Sequence, residues 1–323
     1  MKPTVFIDRK LPREVEDYIA EHCIIDKWEG NESIPRQLLF EKLANTNGLL
    51  TAGTAIDAEL LERAPHLKVV SSMSVGYNHF DLAAMKAKGI MGTNTPHVLN
   101  DTVADLALAL MLGAARRVAE LDRYVKDGSW KKGDGTKLFG IDVHHAKLGI
   151  IGMGRIGEAV ARRARFGFDM EVSYYNRSRK PEAEEKLGVR YSELNELLAA
   201  SDFVVMLAPL TAETNKLIGK KEFEMMKPSS IFINISRGQT VDEQALVEAL
   251  QAGTIAAAGL DVYEKEPIET NHPFLQMANV LTLPHIGSAT TQTRNDMAML
   301  AAQNLVSALT GQTPPNLVDE LSV

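Results

Sequence analysis

The chain has 323 residues, 45% of them hydrophobic and 24% charged, which is long for one core, comfortable for two domains and incompatible with large-scale disorder. Its net charge of −7 excludes a general electrostatic grip on nucleic acid or an acidic membrane surface. The single cysteine, Cys23, excludes an internal disulfide and a thiolate zinc cluster.

The opening "MKPTVFIDRKLP" has too short an apolar run for a signal peptide, and no segment approaches the roughly 20 apolar residues that span a membrane. A soluble, cytoplasmic protein with no nucleic-acid, membrane or metal partner is expected. In the first hundred residues "TVFID" (4–8), "GLLTA" (48–52), "LKVVSSMS" (67–74) and "GIMGTN" (89–94) read as buried strands. Between them "REVEDYIAEHC", "PRQLLFEKLAN", "DAELLERA" and "DLAAMKAKG" place apolar residues at helical spacing. That rhythm predicts a parallel sheet covered by helices. One long helix is expected from about Thr102 to Val125, capped by Asp101 and buried along its first half. A polar, Gly-rich loop follows, and a second βαβα series starts at Ala146 with "LGIIGM", "EVSYYN", "FVVMLA", "SIFINIS", "AAGLDV" and "VLTLPH" as strands. A helix-like stretch, "TTQTRNDMAMLAAQNLVSALTG", closes the chain.

"KLGIIGMGRIGEAVARRARFG" holds Gly152, Gly154 and Gly157 in G-x-G-x-x-G spacing, after an apolar run and at the start of an amphipathic segment. In that context the first glycine permits a tight turn, the second lets backbone approach a pyrophosphate, and the third lets the helix pack closely. Free N–H groups at the helix start then face the phosphates. Asn176 lies 19 positions after Gly157 (176 − 157), close to the ~20 expected for a ribose-binding acid. Here the stretch is "YYNRSRKPE": Asn176, Arg177, Ser178 and Arg179 stand where a carboxylate would repel a 2′-phosphate. Guanidinium forks and a serine hydroxyl grip phosphate oxygens, so the stretch reads as a 2′-phosphate site and the cofactor as NADP(H), with NAD(H) weaker. A solvated basic turn is the alternative.

Three more strand ends carry reactive groups: Arg237 in "INISRGQTVDEQAL", Asp261, Glu264 and Glu266 in "GLDVYEKEP", and His285 in "LTLPHIGSAT". Ligands gather at the carboxyl ends of strands in an open parallel sheet, so these groups can converge. Reduction of a 2-keto acid uses an arginine to fix the carboxylate and polarise the ketone, a histidine to deliver a proton, and a carboxylate to orient the imidazole and favour its charged form.

"GIIGMGRIG", "INISRGQTVDEQALVEAL", "AAGLDVYEKEP" and "PHIGSAT", in that order, resemble the D-2-hydroxyacid dehydrogenase family over essentially the whole chain. The resemblance implies catalytic roles for Arg237, Glu266 and His285, with Asp261 beside the nicotinamide. It further implies cofactor contacts at Arg155, Ile156, Pro209, Thr214 and Ile235. "SSMSVGYNHFDL" resembles the family's substrate loop, in which Val75 and Gly76 offer backbone N–H groups to the substrate carboxylate. "MSVGY", "DVHHAKLGIIGMGRIG" and "PHIGSATTQTR" are most similar to the subgroup reducing glyoxylate, hydroxypyruvate and 2-ketogluconate, which favours NADPH.

The implied fold is α/β, with two doubly wound parallel-sheet domains and the active site in the cleft between them. Residues 1–99 with 290–323 would form a flavodoxin-like substrate domain, and 100–289 a Rossmann-like NADP-binding domain. A homodimer joined through the cofactor domain is implied as well. A related dehydrogenase of different substrate, such as phosphoglycerate, and a nucleotide-sensing corepressor on the same scaffold remain as alternatives. Against the first of these, 323 residues leave no room for a regulatory domain.

Overall fold

The structure, a computed structural model, describes residues 2–321. The chain divides into two compact units: one runs to Leu99 and resumes at Ala289, and the other is Asn100–Ser288. In chain order the first contains β1 (Thr4–Ile7), α1 (Arg13–His22), β2 (Ile24–Lys27), α2 (Arg36–Leu43), β3 (Gly48–Thr51), α3 (Ala58–Arg63), β4 (Val69–Ser72), α4 (Leu82–Ala87) and β5 (Met91–Thr93). The second holds α5 (Asn100–Ala115), α6 (Val118–Lys126), β6 (Lys147–Ile151), α7 (Arg155–Gly167), β7 (Glu171–Tyr175), α8 (Pro181–Leu187), β8 (Arg190–Tyr191) and α9 (Leu194–Ala200). It continues with β9 (Phe203–Met206), α10 (Lys220–Met225), β10 (Ile231–Asn234), α11 (Glu243–Gln251), β11 (Ala257–Leu260) and β12 (Val280–Thr282). The closing helix α12 (Thr291–Leu309) belongs to the first unit.

Both sheets are wholly parallel, with five strands in the order β2-β1-β3-β4-β5 and seven in the order β12-β11-β10-β9-β6-β7-β8. The central strands are buried on both faces because helices cover both. Every residue of β3, β4, β9, β10 and β11 is buried, and alternation with polar residues is lost. In the first unit α12 runs antiparallel to the strands. A β-carbon on Gly48, at the start of β3, would lie 2.9 Å from Leu305 and Leu309, and the Ser71 hydroxyl donates to the Ala301 carbonyl at 2.8 Å. Met73, just past β4, and Ala298 belong to the same buried apolar cluster. The beginning of α12 therefore lies at the carboxyl edge of the sheet.

Two strands escape the sequence pattern. β2 is a partly exposed edge strand of mixed polarity, and β8 has only two residues. The expected single helix from Thr102 to Val125 is in fact α5 and α6, broken at Arg117, which adopts φ 54°. Asp101 lies in the first turn of α5 rather than before it. The break is a tertiary effect. Arg117 pairs with Glu120 at 2.5 Å and donates to the carbonyls of Lys137 and Phe139 at 2.7 and 3.2 Å, while the Ile141 amide takes the Ala115 carbonyl at 3.0 Å. α5 is buried as its composition demands, whereas no residue of α6 is.

Candidate active site

In the seven-stranded unit the turn after β6 abuts the turn after β9, where strand order reverses. Gly152 adopts φ 109°, and a β-carbon there would lie 2.4 Å from the Ala208 amide nitrogen. At Gly157 a β-carbon would lie 2.5 Å from the Gly152 carbonyl oxygen, so the helix packs directly on the turn. Gly154 has nothing within 4 Å of its would-be β-carbon and begins α7 with no side-chain cap. Two glycines thus serve close packing and one opens the turn, leaving the N–H groups of Arg155 and Ile156 to meet an anion. Arg155 is exposed. These features fit a dinucleotide's pyrophosphate.

Asn176 immediately follows β7 and is committed to this turn. Its Oδ1 accepts the Met153 amide at 2.7 Å, and its Nδ2 donates to the Met153 carbonyl at 3.2 Å. Arg179 forks onto Glu184 at 2.5 and 3.1 Å and lies over the Tyr191 ring. Arg177 and Ser178 are exposed and make no hydrogen bond or ion pair among the described residues. The opposing charge beside Arg177 is Glu213, whose carboxyl is held low by the Thr211 hydroxyl and its own amide, with a smaller contribution from Arg177. Past β9, the Thr214 hydroxyl donates to the Pro209 carbonyl at 2.6 Å, and Ile235 is buried at the end of β10.

β10, β11 and β12 end side by side with Arg237, Glu266 and His285 just beyond them. Gly238 makes the approach possible, since a β-carbon there would fall 1.8 Å from the Tyr263 backbone. Arg237 is half-buried and donates to the Ser236 carbonyl at 2.7 Å. Burial pushes its guanidinium down, and the Glu266 charge opposes that. Glu266 accepts the Tyr263 amide on one oxygen at 3.1 Å, and its other oxygen meets His285 Nδ1 at 2.6 Å. His285 Nε2 makes no hydrogen bond among the described residues. Burial pushes the Glu266 carboxyl up, but the bonds from His285 and the Tyr263 amide, with the charges of His285 and Arg237, outweigh it and hold the group low.

Asp261 is buried, and its two oxygens accept the amides of Ile286 and Gly287 at 2.8 and 2.9 Å. The residue immediately before these two amides is His285, at φ 52°. Tyr263, which the sequence reading passed over, donates its buried phenol to the Leu283 carbonyl at 2.9 Å. Burial pushes that phenol up to about 12, so it stays a donor. Its position in "GLDVYEKEP" was the only available signal. Glu264 lies in the same turn with its side chain exposed.

In the five-stranded unit the loop after β4 turns its carbonyls inward. Ser74 O accepts the Thr95 amide at 2.9 Å, Val75 O accepts Asn94 Nδ2 at 2.8 Å, and Gly76 O accepts the Ser74 hydroxyl at 2.7 Å. The amides of Val75 and Gly76 donate to no group among the described residues. Such paired amides suit a carboxylate. Among the described residues no cluster of His, Cys, Asp or Glu could hold a metal, and no helix is long and apolar enough to cross a membrane.

A dinucleotide-binding α/β unit with an Arg–Glu–His edge defines a class of nicotinamide-dependent proteins. A profile for the D-isomer specific 2-hydroxyacid dehydrogenase, NAD binding domain, matches residues 108–287. Glyoxylate/hydroxypyruvate reductase B of Pectobacterium atrosepticum is 48% identical over 99% of this chain and 98% of its own. The NADPH-dependent glyoxylate/hydroxypyruvate reductase of Sinorhizobium meliloti, solved with NADP and malonate, is similar with TM-score 0.87 and 32% identity over 99% and 98% of the two chains. The TT0316 protein from Thermus thermophilus is similar with TM-score 0.91 and 42% identity over 98% and 99%. The chain belongs to the D-2-hydroxyacid dehydrogenase family.

The depressed Glu266 carboxyl has a signed consequence for stability. The unfolded chain holds that proton more tightly than the folded one, so ionised Glu266 stabilises the fold above the ordinary carboxyl pKa. The contribution is lost as pH falls through the lower, folded value. Urea unfolding of Glu266→Gln should therefore show a deficit against wild type at pH 7 that shrinks below pH ~4. A deficit independent of pH would refute the linkage.

Proposed function

We propose that this chain is an NADPH-dependent reductase of small 2-keto acids, converting glyoxylate to glycolate and hydroxypyruvate to D-glycerate, with 2-ketogluconate as a longer substrate. Membership in the family and the names of full-length relatives support the reaction class. The relative solved with NADP supports the cofactor. The observation that carries the mechanism is the 2.6 Å bond between His285 Nδ1 and Glu266, with Arg237 at the neighbouring strand end.

The unit Asn100–Ser288 is assigned as the cofactor domain, and the other as the substrate domain. The cofactor, when bound, supplies the hydride equivalent that the carbonyl carbon receives. Gly152, Gly154 and Gly157 with the amides of Arg155 and Ile156 would hold its pyrophosphate, and Arg177 with Ser178 its 2′-phosphate. Arg237 directs its guanidinium at the keto acid and polarises the carbonyl oxygen. His285 holds a proton on Nε2 for that oxygen, and Glu266 fixes the ring through Nδ1 and offsets the positive charge. In the substrate domain the Val75 and Gly76 amides are a carboxylate site. A second copy of the chain is the proposed partner, seated on α6, where Val118 and Val125 are 55% and 53% exposed.

In an NADPH-absorbance assay with glyoxylate, His285→Ala should lower kcat about 10²–10⁴-fold while NADPH still binds. An unchanged kcat removes His285 from the mechanism.

Arg177→Gln should weaken NADPH about tenfold or more and leave NADH nearly untouched. Arg179→Gln should do less, because Glu184 already holds that fork. Asn176→Asp should weaken both cofactors, since a carboxylate cannot donate to the Met153 carbonyl. The ratio of kcat/KM for the two cofactors checks all three, and equal losses for both in Arg177→Gln would make the stretch a plain basic turn.

Sedimentation should give twice the chain mass, shifting toward the single-chain mass in Val118→Glu/Val125→Glu. A wild-type protein sedimenting as one chain would rule out the second copy.

A further inference from the structure

Arg294 is half-buried in the first turn of α12, yet its guanidinium makes no hydrogen bond or ion pair among the described residues. Charged side chains removed from water are ordinarily paired, because the desolvation is otherwise uncompensated. The charge it does feel is another cation. Burial and the positive charge of Arg9 both push the Arg294 guanidinium down. Arg9 is anchored, with Nε on Asp8 at 3.2 Å and Nη2 on the Ala52 carbonyl at 2.9 Å. Asp8 is in turn held by the hydroxyls of Thr51 and Thr54. Asp8 therefore compensates Arg9, and the pair keeps one positive charge in excess.

The place of this pair follows from the fold. Arg9 follows β1 and Ala52 follows β3, so the bond between them straddles the point where the order β2-β1-β3-β4-β5 reverses. In open parallel sheets that crevice, at the carboxyl ends of the strands, is where ligands bind. Arg294 reaches the same edge from the helix. It lies one turn, about 6 Å, ahead of Ala298, which shares a buried apolar cluster with Met73, just past β4. Helical side chains lean toward the N-terminus, which carries its guanidinium further toward the Ser74–Gly76 loop. β4 is two strand spacings from β1, about 10 Å.

We propose that Arg294, supported by Arg9, is an anion subsite that takes a second, distal carboxylate of the keto acid or of an inhibitor bound beside Val75 and Gly76. The two amides satisfy one carboxylate. The uncompensated guanidinium matches one more negative charge than a monocarboxylate carries. A subsite of this kind discriminates by charge at the far end of the ligand, favouring dicarboxylates over monocarboxylates of similar size. The proposal rests on the keto-acid reading only for the identity of the physiological ligand, since malonate and acetate can probe the site without turnover.

Calorimetry of malonate and acetate on the NADPH-loaded protein at low salt, with their inhibition of glyoxylate reduction in parallel, tests it. Wild type should bind malonate at least about tenfold more tightly than acetate. Arg294→Gln should bring that ratio to near one, and Arg294→Lys, which keeps the charge, should retain part of it. A wild-type ratio near one, or a ratio unchanged in Arg294→Gln, overturns the subsite. Weakening of both ligands by the same factor also overturns it, since Arg294 would then serve the shared carboxylate. A retained malonate preference in a protein that fails to reduce glyoxylate supports the subsite and sinks the reductase reading instead.

Discussion

His285 occupies the left-handed region at φ 52°, a conformation that costs a residue with a β-carbon roughly 1–2 kcal/mol. Something must hold it there, and the two amides that follow are the point of purchase. Asp261 accepts both, from inside the core, at 2.8 and 2.9 Å. On the other side, the Tyr263 phenol holds the Leu283 carbonyl. The imidazole is therefore presented by a backbone clamped before and after it, and Glu266 only has to complete the orientation through Nδ1. Strain stored at a reactive residue persists where the surroundings over-determine it, and here the surroundings are three side chains from one short turn.

The same logic explains the end of β7. A carboxylate at position 176 would accept the Met153 amide but face the Met153 carbonyl with a second acceptor. A carboxamide satisfies both, at 2.7 and 3.2 Å. The position is thus coupled to the glycine turn. On the proposed reading, the burden of meeting a 2′-phosphate shifts to Arg177 and Ser178, which are exposed and make no hydrogen bond or close ion pair among the described residues, and away from Arg179, which Glu184 and Tyr191 already occupy. A guanidinium already forked onto a carboxylate must break that pair before it can grip a phosphate. Arg177 has no such fork to break, only the more distant charge of Glu213.

The parallel sheets, the glycine turn and the strand-end Arg, Glu and His were legible because each leaves a local mark: an apolar run, a fixed glycine spacing, a reactive residue just past a strand. β2 and β8 were not, since a mixed-polarity edge strand and a two-residue strand carry no periodic signal. The break at Arg117 was hidden for a different reason. No glycine or proline marks it, and what stabilises it are carbonyls of Lys137 and Phe139, 20 and 22 residues away. Arg294 was equally silent. An arginine in "TTQTRNDM" looks like any solvated helix residue until α12 is laid antiparallel to β3 and β4.

Three adjacent strands explain why the reactive groups come in their particular order. β10, β11 and β12 are neighbours in space as in sequence, so Arg237, Glu266 and His285 line up with the carboxylate between the guanidinium and the imidazole. An arginine beside an imidazolium would repel it, and each would disfavour the other's charged form. Interposing Glu266 turns the repulsion into two attractions. That is why its carboxyl is held low despite burial that alone would raise it. Gly238 is what lets the first two strand ends approach closely enough, since any side chain there would collide with the Tyr263 backbone. The close arrangement of Arg237, Glu266 and His285 thus depends on a position that carries no side chain at all.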